Sequence, residues 1–183
     1  MGRTKLGVIL FIVSEASFFL LLVGAYVFFH RSGGQSPSAA SSLDVPRTSL
    51  FSLALFASSA TVWFAGISFS QGRRQRAGLW LLATIALGAT FLVGQVTEYA
   101  ELLRKQVTIS GNLFGTTFFT LTGFHGLHVF LGLAMLAILF GLTMARKGRA
   151  PSAPAMEGVS LYWHFVDAVW VVIFGVVYLW KFV

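Results

Sequence analysis

Long apolar runs alternate with short polar breaks along this chain. The runs extend over about Leu6–Phe29, Thr48–Ser70, Ala77–Leu103, Leu113–Ala145 and Val159–Val183. A helix that crosses a bilayer needs about 20 mostly apolar residues, and every run supplies that length. Inside lipid each backbone polar group must be satisfied within the segment or within a closed barrel. Barrel strands run about 9–11 residues with alternating polarity; these runs are longer and do not alternate. The pattern therefore predicts an all-α membrane protein: five transmembrane helices in one bundle, forming a single domain over residues 1–183. The fourth run exceeds a simple span, which predicts tilt or extension beyond the bilayer.

The breaks carry the loop chemistry. His30–Arg47 is rich in Ser, Gly and Pro, and Gln71–Arg76 is a tight basic turn with Arg73, Arg74 and Arg76. Arg104–Asn112 is polar, and Arg146–Gly158 is basic and then small and Pro-containing. No internal repeat is present, so a transporter built from two similar halves gains no support. Basic residues mark the cytoplasmic side of a membrane protein. Arg3, Lys5, Arg73, Arg74, Arg76, Arg146, Lys147 and Arg149 fall on one side; Arg31, Arg47, Arg104, Lys105 and Lys181 fall on the other. This asymmetry predicts a cytoplasmic N-terminus and a C-terminus outside. Met1–Lys5 is a charged start, but no clear cleavage site follows, so the first run is read as a helix and not a signal peptide.

Composition agrees with lipid as the solvent. The 183 residues are 56% hydrophobic and only 10% charged, against about 25% charged in an ordinary soluble domain. The net charge of +7 does not point to nucleic acid, because the basic residues sit in short loops and not on one polar face. There is no cysteine, which excludes disulfides, thiolate metal sites and cysteine nucleophiles.

Polar residues within the runs are the candidates for function. Glu15 lies near the middle of the first, where an ionised carboxylate costs about 2.5–3.5 kcal/mol on insertion scales. It must face protein, hold a proton or pair. His125 and His128 lie three apart and share a helical face. Imidazole ligates metals, but two histidines on one turn cannot take opposite faces of one haem, and no further ligand set accompanies them. The alternative is hydrogen bonding across helices, with Glu15 as a partner. His164 and Asp167, also three apart, open the fifth run within an aromatic belt; they suit either a subunit contact or proton-path mouth, or a satisfied ion pair. Glu98, Tyr99 and Glu101 close the third run and read as a snorkelling helix end, with Glu101 four residues from Lys105 and able to pair with it. Paired phenylalanines, Phe18–Phe19 and Phe118–Phe119, read as packing and lipid contact. Gly111 and Gly115 form a small-xxx-small pair at a helix start. No nucleophile–base pair, phosphate-cradling loop or metal-ligand set emerges, so no active site is expected in the chain itself.

The order of motifs resembles subunit III of cytochrome c oxidase and of related quinol oxidases. The resemblance is carried by Ile9–Phe19 (ILFIVSEASFF), Gln95–Glu101 (QVTEYAE), Phe114–Val129 (FGTTFFTLTGFHGLHV) and Tyr162–Trp170 (YWHFVDAVW), and it extends over about residues 6–182. It implies a non-catalytic subunit of a proton-pumping terminal respiratory oxidase in the bacterial plasma membrane. Such a subunit packs on the haem-bearing subunit I beside subunit II, supporting proton uptake, lipid binding and complex stability. Haem and copper would lie in the partner subunits. This chain would bind no cofactor beyond structural phospholipid, and no nucleic acid. Glu15, Glu98, His125, His128, His164 and Asp167 fall on the family's motifs and are implied to be intramembrane contact residues. Many family members have seven spans, and this chain begins at what resembles their third. The missing arm is either absent or supplied by subunit I, which leaves the lipid sites of the seven-span cleft open. A quinol oxidase subunit III and a nitric oxide reductase accessory protein are the neighbouring readings. An independent haem protein on His125 and His128, or a small transporter on Glu15, are the distant ones.

Overall fold

The computed structural model describes residues 3–31, 43–109, 113–145 and 151–179. Five helices account for nearly all of them: α1 (Arg3–Arg31), α2 (Val45–Ser70), α3 (Arg74–Arg104), α4 (Leu113–Met144) and α5 (Ala153–Phe174), the last continued by a π-helical turn over Gly175–Leu179. Each is long and apolar enough to cross a membrane. No strand occurs among the described residues. The protein is a multi-pass membrane protein.

The helix starts follow ordinary capping. Asp44 precedes α2 and its side chain accepts from the Arg47 amide at 3.1 Å, with Pro46 in the first turn. Ser152 does the same for α5, accepting from the Ala155 amide at 3.3 Å with Pro154 in the first turn. Both arrangements satisfy backbone donors that a helix start leaves open. The turn between α2 and α3 passes through Gly72 at φ 72°, a left-handed conformation that a side chain would resist.

Two expected boundaries move. The fifth helix starts at Ala153, six residues before the apolar run begins, because the capped, proline-primed first turns are polar or small. The fourth helix does run for 32 residues. Gly111 lies outside the described residues, as do Arg146, Lys147, Arg149 and Lys181, so neither the small-residue pair nor part of the charge asymmetry is addressed by the structure.

α5 sits at the centre of one layer, with α1 on one side and α2 on the other; α4 and α3 form the layer behind. The most extensive contact is between α2 and α3. Trp163 and Trp170 of α5 are fully buried. Trp163 fills the space left by two glycines: a Cβ on Gly88 of α3 would lie 2.8 Å from its ring, and one on Gly132 of α4 would lie 2.7 Å from it. Both indoles donate to α2, Trp163 to Ser58 Oγ and Trp170 to Ser52 Oγ, each at 2.9 Å. Burial of two large aromatic side chains, each with its N–H satisfied, gives this four-helix block its core.

Candidate functional site: polar contacts between the helices

The first cluster joins α1 to α4. His128 Nδ1 lies 2.7 Å from the Phe124 carbonyl and Nε2 lies 3.1 Å from Glu15 Oε2. A carbonyl only accepts, so Nδ1 carries a proton. Nε2 then either accepts from a protonated Glu15 or, in an imidazolium, donates to a carboxylate. One proton is shared across the contact in both cases. Phe19 covers the imidazole edge-on with ring centroids 5.0 Å apart, and Tyr162 donates to the His128 carbonyl at 3.1 Å. Glu15 itself stays 24% exposed at the edge of the bundle. The expected contact between the histidine motif and Glu15 is thus made by His128.

His125 does something else. It is fully buried and stacks on Trp170, with ring centroids 4.9 Å apart, while Phe91 meets it edge-on at 5.9 Å. Neither ring nitrogen has a hydrogen-bond partner among the described residues. The two histidines therefore diverge, one toward α1 and one into the aromatic core. Among the described residues no group of three or more His, Asp or Glu side chains could hold a metal ion.

The second cluster lies between α5 and α2. His164 Nδ1 is 2.7 Å from Ser59 Oγ. Asp167, one turn further, is buried, and neither carboxyl oxygen has a hydrogen-bond partner among the described residues. The satisfied ion pair that the spacing allowed is not formed: His164 turns to α2 instead.

The third cluster corrects the sequence reading most clearly. Glu98 is not a snorkelling helix end but is buried. Thr48 Oγ1 of α2 donates to its Oε1 at 2.9 Å, and Tyr178 OH of the π-helical turn donates to its Oε2 at 2.7 Å. Glu101 pairs with Arg47 of α2. Beside it, Gln95 donates to the Thr122 carbonyl at 2.6 Å and Tyr99 shares a hydrogen bond with Thr122 Oγ1 at 2.7 Å, tying α3 to α4.

Sequence reasoning overlooked Thr48, Ser52, Ser58, Ser59 and Tyr178. A signal was present: Thr48, Ser52, Leu55, Ser59 and Val62 follow helical spacing on α2, so the hydroxyls fall on the face turned to α5 and α3. Residue by residue, these clusters are helix-to-helix contacts: hydroxyl, imidazole and carboxyl groups that join neighbouring elements within apolar surroundings.

A family profile described as cytochrome c oxidase subunit III matches residues 2–182. Cytochrome c oxidase subunit 3 of Corynebacterium diphtheriae is 37% identical over 97% of this chain and 88% of its own length. The earthworm Lumbricus terrestris protein of the same name is 38% identical over 95% of this chain and 69% of its own length. Cytochrome bo(3) ubiquinol oxidase subunit 3 of Pseudomonas aeruginosa is 34% identical over 97% of this chain and 85% of its own length. With a family match along almost the whole sequence and five apolar helices to carry it, the chain belongs to the cytochrome c oxidase subunit III family, whose members are parts of multi-subunit oxidoreductase complexes.

Proposed function

We propose that the chain is the non-catalytic third subunit of a proton-pumping terminal oxidase of the cytochrome c oxidase type, held in a bacterial plasma membrane as one domain over residues 1–183. It packs on the haem-bearing subunit I, in a complex with subunit II, and supports proton uptake, lipid binding and lifetime of the complex. Oxygen reduction takes place in the partner chains; Glu15, Glu98, His125, His128, His164 and Asp167 position helices and contact neighbours.

The observation that carries this reading is the state of α1. Its most apolar window is only 6% buried, against 28–39% in the other four helices, and yet it bears Glu15. Partly open to hydrocarbon, an ionised carboxylate there costs a few kcal/mol. A neighbouring protein helix laid over Phe11, one turn before Glu15 on α1 and 49% exposed, would cover that edge and turn the cost into a contact. The groove between α1 and α5, lined by Ala16, Phe19, Leu20, Phe165, Val169 and Val172 with a volume of about 260 Å³, has the apolar walls an acyl chain requires.

Purification of the tagged chain from its membranes in mild detergent tests the proposal. Haem-bearing and copper-bearing polypeptides are expected to co-purify, and the haem spectrum is expected to follow those partners when the subunits are separated. A chain that leaves the membrane alone, or that keeps haem after separation, would overturn it. The bo(3) relative keeps quinol open as the electron donor; a dinuclear copper spectrum in the co-purified complex decides for cytochrome c.

A further inference from the structure

Trp163, Trp170 and Tyr178 follow α5 and its π-helical continuation, all fully buried. The two tryptophans are seven residues apart, about 10 Å along the helix axis. Trp170 and Tyr178 are closer, with ring centroids 6.2 Å apart. His125 stacks on Trp170 and Phe91 meets it edge-on at 4.7 Å, which seals the indole in ring faces. In a chain without cysteine, indole and phenol rings are the core groups that lose an electron most readily.

The rings differ in what accepts their hydrogen bonds. Tyr162 donates to the His128 carbonyl, and Trp163 and Trp170 donate to serine hydroxyls; none of these acceptors readily takes up a proton. Tyr178 donates to Glu98 Oε2 at 2.7 Å. Glu98 also accepts from Thr48 at Oε1, so both oxygens act as acceptors, the pattern of an ionised carboxylate. A buried hydroxyl is satisfied by any neutral acceptor; this one is given a base. Tyr178 also belongs to the wide turn Gly175–Leu179, a π-helical geometry that recurs at functional sites. The two donors that fix Glu98 in the bundle hold its oxygen against the phenol.

We propose that Tyr178 is a redox-active tyrosine, with Glu98 as its proton acceptor and Trp170 as the relay that brings the oxidising equivalent to it. The oxidant is a peroxide-derived radical, the class that incomplete oxygen reduction yields; it takes one electron and is reduced. The electron leaves by way of the rings along α5. Trp170 has only the Ser52 hydroxyl beside its N–H, so it passes the vacancy on as a cation. At Tyr178 the O–H bond breaks, the proton crosses to Glu98 Oε2 and an O–H bond forms there. A neutral tyrosyl radical and a neutral carboxylic acid remain, so no net charge is left in the dry core. A reductant that returns one electron reverses both transfers. This goes beyond the function proposed above, because the redox chemistry belongs to this chain and needs no haem.

The test uses the complex as purified in mild detergent. It is mixed with ruthenium tris(bipyridine) and persulfate, and a flash of blue light makes ruthenium(III), which removes one electron. Freezing after the flash traps the radical for electron paramagnetic resonance. A tyrosyl spectrum is expected, narrowed when the protein carries ring-deuterated tyrosine. Tyr178→Phe is expected to abolish it and to leave a tryptophan spectrum in its place, and Trp170→Phe to lower its yield severalfold. Glu98→Gln keeps an acceptor for the phenol but no base, and is expected to lower the yield as well. Tyr162→Phe serves as the control and is expected to leave the spectrum unchanged. Infrared difference spectra of the wild-type complex, which require no variant to fold, are expected to show a protonated carboxyl band after the flash. A tyrosyl spectrum that survives Tyr178→Phe, one that disappears with Tyr162→Phe, or a flash that protonates no carboxyl group overturns the proposal.

Discussion

The two intramembrane glutamates teach more together than either does alone. Glu98 sits in the block formed by α2 to α5, accepting from a threonine of one helix and a tyrosine of another. Glu15 sits on α1, with one histidine beside it and an open flank. The block has the fully buried tryptophans, the indole-to-serine bonds and the tightest glycine contacts. α1 contributes Phe19 and Tyr26 to the core and leaves Leu10, Phe11, Val13, Leu20 and Leu21 outside. A carboxyl group supplied with two donors inside its own chain is a structural fixture. A carboxyl group on a thinly packed edge, with one imidazole beside it and a flank open, is held less firmly by its own chain.

That contrast is broken most directly by removing bulk. Trp163→Ala empties the space between Gly88 and Gly132 and removes the indole donor to Ser58, whose hydroxyl keeps its own bond to the Leu55 carbonyl, so a loss of about 3–5 kcal/mol is expected. Phe11→Ala removes an exposed ring of α1 and is expected to cost about 1 kcal/mol or less. Unfolding of the purified chain in mixed detergent micelles, followed by loss of helical circular dichroism, measures both. Equal costs would mean that α1 is as firmly built in as the block. In the opposite direction, Gly132→Ala drives a methyl group to within 2.7 Å of the Trp163 ring and is expected to cost about 1–3 kcal/mol by overpacking.

The glutamates sharpen the comparison next. Glu98→Ala leaves the buried Tyr178 hydroxyl without its carboxylate acceptor, while Thr48 keeps the Asp44 carbonyl at 3.0 Å, which predicts a loss of about 1–3 kcal/mol, read by the same unfolding measurement. Glu98→Gln keeps one acceptor oxygen and should cost less. Glu15→Ala is expected to change the isolated chain little. In the complex it should shorten the lifetime under turnover while initial oxygen consumption stays near wild type. An immediate loss of oxygen reduction in an intact complex would contradict the assignment of Glu15 as a contact residue.

The two glutamates also mark what the sequence could say. The five helices were legible because a bilayer demands length and apolarity, and both can be counted along the chain. The pairing of His128 with Glu15 was within reach, because each is costly in lipid and needs a partner. Glu98 was misread because its donors lie 50 and 80 residues away, and a threonine or a tyrosine at a helix end looks unremarkable in one dimension. The start of α5 was misplaced for a related reason: a capped first turn of small and polar residues resembles a loop unless the cap is recognised. His125 and His128 were put on one turn and one face of the fourth helix, but which neighbour each ring meets depends on packing order, and the two rings part, one to Glu15 and one to Trp170. That order, with α5 between α1 and α2, has no signature in the apolar runs.

The smallest effect, and the one whose sign matters most, belongs to the α5–α2 seam. Ser59→Ala takes away the His164 partner and is expected to cost about 1 kcal/mol. Asp167→Asn alters a buried carboxyl group that faces Ser59 across the same seam but has no well-formed hydrogen bond among the described residues. No well-formed hydrogen bond is lost among the described residues, so its unfolding midpoint is expected to stay level or to rise slightly. In the assembled complex the expected sign reverses if a partner subunit donates to Asp167: the same substitution then lowers the temperature at which the subunit dissociates. A destabilised isolated chain would mean that Asp167 has a donor within the bundle after all. A complex as durable as wild type would remove Asp167 from the contacts and leave Glu15 as the polar residue through which this subunit is held.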